Sequence, residues 1–216
     1  GPRDAGDGPR DAGDGPVDAS TATDASTATD AGARDAGPTP AACALAAPFD
    51  EGVTYARTLH VSPSGAASGD GSPGAPFDTI PRAAARATPG TRILVAAGTY
   101  PGGFRLDGLA GTAAQPIAIV ADGEVVLDAG GSGTVVSMTD PEYLVFSGFT
   151  LRGAGLHGMN IDDGGSYETP AHHLILRNLT IPAAGSGGNN DCIKMSGVDD
   201  FWVLGSDVAA CDRGGG

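Results

Sequence analysis

From residue 92 onward the chain is written in short apolar runs: RILVA, IAIV, EVVLD, TVVSM, YLVFS, FTL, GMNI, HLILR, LTI, CIKM and FWVL. Gly, Asn or Asp separates one run from the next, as expected for short β-strands joined by turns. The intervals leave no room for crossover helices. That excludes a doubly wound α/β fold and leaves a sandwich, a barrel or a solenoid.

Internal repetition decides among these. The segments YLVFSGFTLRG (143–153), HLILRNLTIPA (173–183) and FWVLGSDVAAC (201–211) superimpose. In that alignment Leu144, Leu174 and Trp202 form one column, and Phe146, Leu176 and Leu204 the next. Gly148, Asn178 and Ser206 share a turn, and Phe149, Leu179 and Asp207 open the following strand. Trp202 therefore reads as core, and Asp207 as an acid that breaks an apolar column. A second track, TVVSMTD (134–140), HGMNIDD (157–163) and DCIKMSG (191–197), aligns Val136 with Met159 and Ile193, and Met138 with Ile161 and Met195. Three strands per coil with inward residues stacked in columns predict an all-β parallel β-helix. Each coil buries its apolar side only by stacking on its neighbours. A sandwich would pair its strands in hairpins and has no reason to repeat at this period.

The N-terminal part follows other rules. In residues 1–42, GPRDAGD and DASTAT each occur twice in succession, and large apolar side chains are almost absent. Such a segment cannot bury enough surface to offset its ordering entropy, so a disordered acidic linker is expected. Residues 43–58 form a transition segment. Residues 59–100 predict a short strand, a glycine-rich loop, one helix and a second strand. Thr79 is the expected N-cap, Pro81 lies in the first turn, and Pro89-Gly90 ends the alanine run. Residues 101–216 hold the coils. The GGG at 214–216 offers no cap for a last coil, and no initiator Met stands at the start. The natural chain is therefore expected to extend past Gly216 and to begin at a processed end.

Composition narrows the partners. The 216 residues carry a net charge of −14, with 12 Lys and Arg against 26 Asp and Glu. No basic stripe exists to neutralise phosphates, which argues against nucleic acid. No apolar run is long enough for a membrane span. Three cysteines, Cys43, Cys192 and Cys211, allow one bridge and one free thiol. Cys192–Cys211 is the candidate bridge if the protein is exported, and its geometry is not fixed by sequence. Without CxxC pairs or Cys/His clusters, a structural zinc is not expected.

The candidate chemistry lies on the second track. If Ile193 and Met195 point inward, Lys194 points outward, in the column of Asn160 and Ser137. Asp162 lies two residues along the same face, Asp191 stands just before the strand, and Asp212 comes later. Asp162-Asp163 precede the loop GGSYETPAH, which lengthens its coil, and long loops on a solenoid collect binding residues. Within it Tyr167 offers a ring to stack on a sugar. His157 falls in the column of Asp191, where it could serve acid–base work or simply fill a turn. Lys194 has a bland reading too, a solvated lysine paired with aspartate. The acids likewise suit turns, where their side chains bond backbone amides.

Residues 59–216 resemble bacterial right-handed parallel β-helix proteins of the pectate-lyase-like superfamily. VSPSG…GSPGAPFDTIPRAAARATPGTRILVAAGTY is similar to the N-terminal cap of that group, in which a short helix covers the open end of the solenoid. NDCIKMSGVDDFWVLGSDVAACDRGG (190–215) is similar in spacing to the pectate-lyase runs D-A-I, W-I-D-H and a calcium-binding acidic loop. It departs from them at Val203-Leu204-Gly205. The repeats of residues 1–42 resemble spacers that follow the lipid-bearing cysteine of bacterial surface lipoproteins. The resemblance implies an exported or surface-held monomer that acts on polysaccharide, with a lipid anchor upstream of the chain. The resemblance matches Asp191 and Asp212, and with the outward face and the loop the candidate site becomes calcium at Asp162, Asp163, Asp191 and Asp212, chemistry at Lys194 and Asp191, and substrate contacts from Tyr167, His157 and Arg213. A calcium-assisted lyase leads. A glycoside hydrolase using Asp162 and Asp191, and a non-enzymatic adhesin, stand beside it. The chain has a single lysine, few basic groups for a lyase groove, so enzyme or not stays open at this point.

Overall fold

The computed structural model describes residues 47–211, apart from 167, 186, 187 and 189. The expected linker, Cys43, Tyr167, Asp212 and Arg213 lie outside the described residues.

Alternating apolar residues make the strands, and the strands wind into a parallel solenoid. The chain enters through β1 (Arg57–Val61) and a five-residue helix, α1 (Ile80–Ala84). Four turns follow: β2 (Thr91–Pro101) with β3 (Phe104–Asp107), β4 (Ile117–Asp128) with β5 (Val136–Thr139), β6 (Glu142–Arg152) with β7 (Met159–Asp162), and β8 (Ala171–Arg177) with β9 (Thr180–Ile181) and β10 (Ile193–Ser196). Strands β11 (Val198–Leu204) and β12 (Asp207–Val208) begin a further rung. Every pairing between these strands is parallel. One sheet runs β1-β2-β4-β6-β8-β11, and a second, four-stranded sheet runs β10-β7-β5-β3. Each turn thus adds one rung to each sheet.

The core is a set of stacked columns. Leu59, Ile93, Ile119, Phe146 and Leu176 lie in register through successive strands, all buried. Phe146 stacks on Phe149 with centroids 4.3 Å apart. In the four-stranded sheet, Val136 pairs with Met159 and Met159 with Ile193, while Leu106, Met138, Ile161 and Met195 make the neighbouring column. Both tracks of inward residues expected there are in place. Burying each such side chain stabilises the fold by about 1.5–3 kcal/mol before ordering costs. Helix α1 adds Ile80, Ala83 and Ala84 to this core. Thr79 holds its N-cap position without a side-chain cap bond. The helix stops short of the full alanine run, which tightens instead into turns from Arg86 N–H to Ala83 O and Ala87 N–H to Ala84 O.

The bends recur at matched places. Tyr143, His173 and Asp200 occupy equivalent positions of three rungs and all have positive φ, 45°, 55° and 50°. A second bend uses Gly148, Asn178 and Gly205, at φ of 90°, 52° and 57°. Glycine and asparagine tolerate this left-handed conformation better than other residues.

That second bend corrects the sequence alignment. The shared turn holds Gly205, not Ser206, because the last rung is one residue shorter than the alignment assumed. Phe201 pairs with Leu174 and Val203 with Leu176, so these two take the inward columns. Trp202 pairs with Ile175 on the outside of the sheet. There Ala118, Val145 and Ile175 form a second apolar cluster, joined by Phe49, Tyr55, Val120, Trp202 and Leu204. Asp207 breaks no apolar column either. It pairs with Thr180, which pairs with Thr150, in a polar outward row.

Phe49 and Tyr55 belong to a strap, residues 47–56, that lies over this outer cluster. Phe49 meets the rings of Tyr143, His173 and Trp202 edge-on, with centroids 5.6, 6.1 and 5.8 Å away. Arg177 donates to Asp50 through both arms, Nη1 to Oδ2 at 2.7 Å and Nη2 to Oδ1 at 3.0 Å. Cys192 and Cys211 form a disulfide, with Cα atoms 5.3 Å apart, that ties the entry of β10 to the residues after β12.

Candidate functional site

The outward face of the four-stranded sheet gathers the candidate residues. Strand alternation sends Lys194 outward, and register places it beside Asn160, then Ser137, then Arg105. The adjoining row reads Ser196, Asp162, Thr139 and Asp107. Successive rungs lie about 4.8 Å apart, so the face is a regular polar strip.

Short bonds order this strip. Asn160 Nδ2 donates to Asp162 Oδ2 at 2.9 Å, and the Gly164 amide donates to Asp162 Oδ1 at 3.1 Å. Asp163 accepts the Gly165 amide at 2.9 Å. Both acids therefore support the turn that opens the long loop, where Ser166 and Thr169 also join their hydroxyls. Arg105 Nη1 donates to Thr139 Oγ1 at 2.7 Å and lies 3.9 Å from Asp107. Lys194 has no ion pair among the described residues, so the bland pairing with aspartate is not seen.

His157 and Asp191 meet across two rungs. The Asp191 amide donates to His157 Nδ1 at 3.0 Å, and the Asp191 carboxylate lies 3.9 Å from the same nitrogen. Because Nδ1 accepts, a neutral His157 carries its proton on Nε2. The ring is well covered, with its side chain 13% exposed.

The structure brings Lys194, Asn160 and Asp162 together and separates Asp162 from Asp191. Asp162 pairs with Ser196 at the end of β10, whereas Asp191 lies before that strand begins and bonds His157. Calcium needs six to eight oxygens. Among the described residues, no three His, Cys, Asp or Glu side chains converge to hold a metal.

Arg105, Asp107 and Thr139 were not singled out from sequence. The signal was there: FRLD (104–107) alternates apolar and polar residues in step with VSMT, MNID and IKMS. Its separation from the two clearest repeats hid the match.

Ionisation is perturbed away from the strip. Burial pushes the Tyr100 phenol up to about 12, and its hydroxyl donates to Ala96 O at 2.7 Å. The bidentate bond that Arg177 donates to Asp50 holds its guanidinium above its ordinary value.

The comparisons bear on the fold. No family model matches the chain, and no curated protein matches it. Solved structures do. An alginate lyase from Paenibacillus sp. strain FPU-7 is 26% identical with a TM-score of 0.51, over 69% of this chain and 44% of that one. The pectate lyase Pel9A is 19% identical with a TM-score of 0.50, over 72% of this chain and 48% of that one. A GH136 lacto-N-biosidase from Eubacterium ramulus is 17% identical with a TM-score of 0.57, over 71% and 34%. The chain spans less than half the length of each. It is a parallel β-solenoid whose structural neighbours include polysaccharide lyases and a glycoside hydrolase. Among the described residues no helix is long and apolar enough to cross a membrane.

Proposed function

We propose that this chain is part of an exported polysaccharide-active protein. Its glycan site is the outward strip of β3, β5, β7 and β10, wound right-handed as in pectate lyases. The observation that carries the reading is Lys194, which has no ion pair among the described residues and stands in register with Asn160, Ser137 and Arg105. The Cys192–Cys211 disulfide supports export, because such bridges persist in oxidising compartments.

The reaction we assign is β-elimination on a uronate-containing glycan. As the neutral amine, Lys194 takes the C5 proton and becomes an ammonium, the C4–O bond breaks, a C4–C5 double bond forms, and the departing O4 takes a proton from water. Arg105 and Asn160 position the chain along the strip. Calcium, where bound, would neutralise the uronate carboxylate.

The test is lyase activity on alginate and polygalacturonate, followed by ultraviolet absorbance of the unsaturated product, with calcium and with chelator. A glycan-binding measurement runs alongside. The wild type forms product. Lys194→Ala lowers the rate by about 10²–10⁴-fold, the loss expected for a positioned base, while glycan binding persists. Full activity in Lys194→Ala would sink the assignment of the base. Binding without product would favour the adhesin reading.

A further inference from the structure

His172 and His173 are neighbours in sequence, and strand alternation should send them to opposite faces. They do not diverge. His173 sits at the left-handed bend, φ 55°, which turns its ring to the side of His172. The bend is not an isolated distortion. Tyr143 on one adjacent rung and Asp200 on the other adopt the same conformation, at φ 45° and 50°. Tyr143 then stacks on the His173 ring with centroids 4.3 Å apart and planes 23° from parallel, and meets His172 edge-on at 5.4 Å. Phe49 of the strap closes on His173 edge-on. Tyr143 and Phe49 therefore hold the His173 ring between them, and Tyr143 and His173 hold the His172 ring.

The outcome is two ring nitrogens facing each other, with His172 Nδ1 and His173 Nδ1 3.0 Å apart. Carboxylates flank them. Glu142 Oε2 is 3.9 Å from His172 Nε2, and Asp200 Oδ2 is 3.9 Å from His173 Nδ1. The pair is open to solvent, its side chains 31% and 30% exposed.

We propose that His172 and His173 form a two-imidazole site for a late divalent transition metal, copper(II) or nickel(II), on the outer surface of the solenoid. The spacing lets one ion meet both rings. With metal–nitrogen bonds of about 2.0–2.1 Å, nitrogens 3.0 Å apart subtend an angle of about 94° at the ion. That is close to the right angle of tetragonal copper(II) or nickel(II) coordination. Imidazole suits these metals. The two imidazoles are the protein's ligands, and water fills the remaining positions. The two carboxylates bias the site toward a cation.

The experiment titrates the full chain with copper(II) and with nickel(II) by calorimetry near neutral pH, and records the copper(II) electron paramagnetic resonance spectrum. The expected result is one saturable equivalent with superhyperfine coupling to two imidazole nitrogens. His172→Gln and His173→Asn, the latter chosen because asparagine tolerates the left-handed bend, each weaken binding by about 10–100-fold or more. His60→Gln leaves it unchanged. Binding that survives either substitution would overturn the site, and so would absence of a saturable equivalent, which would mean that the two rings share only a hydrogen bond. Should a variant fold poorly, the wild-type spectrum decides. Coupling to two nitrogens supports the pair, and coupling to one or none refutes it.

Discussion

The tie between Asp50 and Arg177 joins residues 127 positions apart, and its removal has a calculable effect. Asp50→Ala deletes a bidentate, charge-assisted bond and leaves the Arg177 guanidinium unpaired. A fully exposed ion pair would contribute about 0.2–1 kcal/mol, and breaking a fully buried one would cost about 3–5 kcal/mol. This pair lies between those limits, with side chains 30% and 11% exposed for Arg177 and Asp50. A destabilisation of about 2 kcal/mol follows. For a fold of this size that lowers Tm by about 4–8 °C. Trp202, the chain's single tryptophan, packs against Phe49 of the strap and reports its release by fluorescence. Urea unfolding of wild type, Asp50→Ala, Arg177→Ala and the double variant completes a cycle. A coupling energy of about 1 kcal/mol or more is expected. If Asp50→Ala unfolds with wild-type stability, or the two substitutions simply add, the pair does not hold the strap and the reasoning fails.

Three more outcomes are expected. Cys211→Ser opens a loop whose ends are 19 residues apart, and losing that constraint should cost about 3 kcal/mol in chemical denaturation, an effect that reductant reproduces on the wild type. Phe146→Ala removes a fully buried ring from the middle of its column and should cost about 3–5 kcal/mol by the same method. Tyr100 ionises less readily in the folded protein than in the unfolded chain. Its contribution is therefore complete below about 10 and is lost as pH climbs toward about 12, so Tyr100→Phe should flatten the alkaline limb of a stability–pH curve.

The sequence disclosed the inner face of the solenoid far better than its outer one. In the four-stranded sheet, apolar and polar residues alternate cleanly in VSMT, MNID and IKMS. The columns through Met159 and Ile161, and the outward row of Ser137, Asn160 and Lys194, could therefore be read directly. In FWVL that alternation vanishes, because both faces of β11 are apolar: Phe201 and Val203 point in, and Trp202 and Leu204 meet the outer cluster. With no polar residue to fix the phase, the alignment slipped by one and misplaced Trp202 and Asp207. The cause of that outer cluster, the strap, was invisible for a related reason. Phe49 and Tyr55 stand isolated among small residues and match no strand or helix period. The pairing of Asp50 with Arg177, and the convergence of His172 and His173, depend on winding and on a left-handed bend. Neither leaves a local mark in the sequence.

The constant rung interval of the four-stranded sheet also governs how such a surface can change. Stability resides in the inward columns, while Arg105, Ser137, Asn160 and Lys194 stand outside them, one to a rung. A substitution at one peg leaves the next at the same distance, so recognition can be rewritten position by position without disturbing the scaffold. The strip is in that sense a ruler with exchangeable marks. A polymer whose own repeat is commensurate with the rungs would meet many marks at once, and lengthening the solenoid would lengthen the ruler without altering its scale.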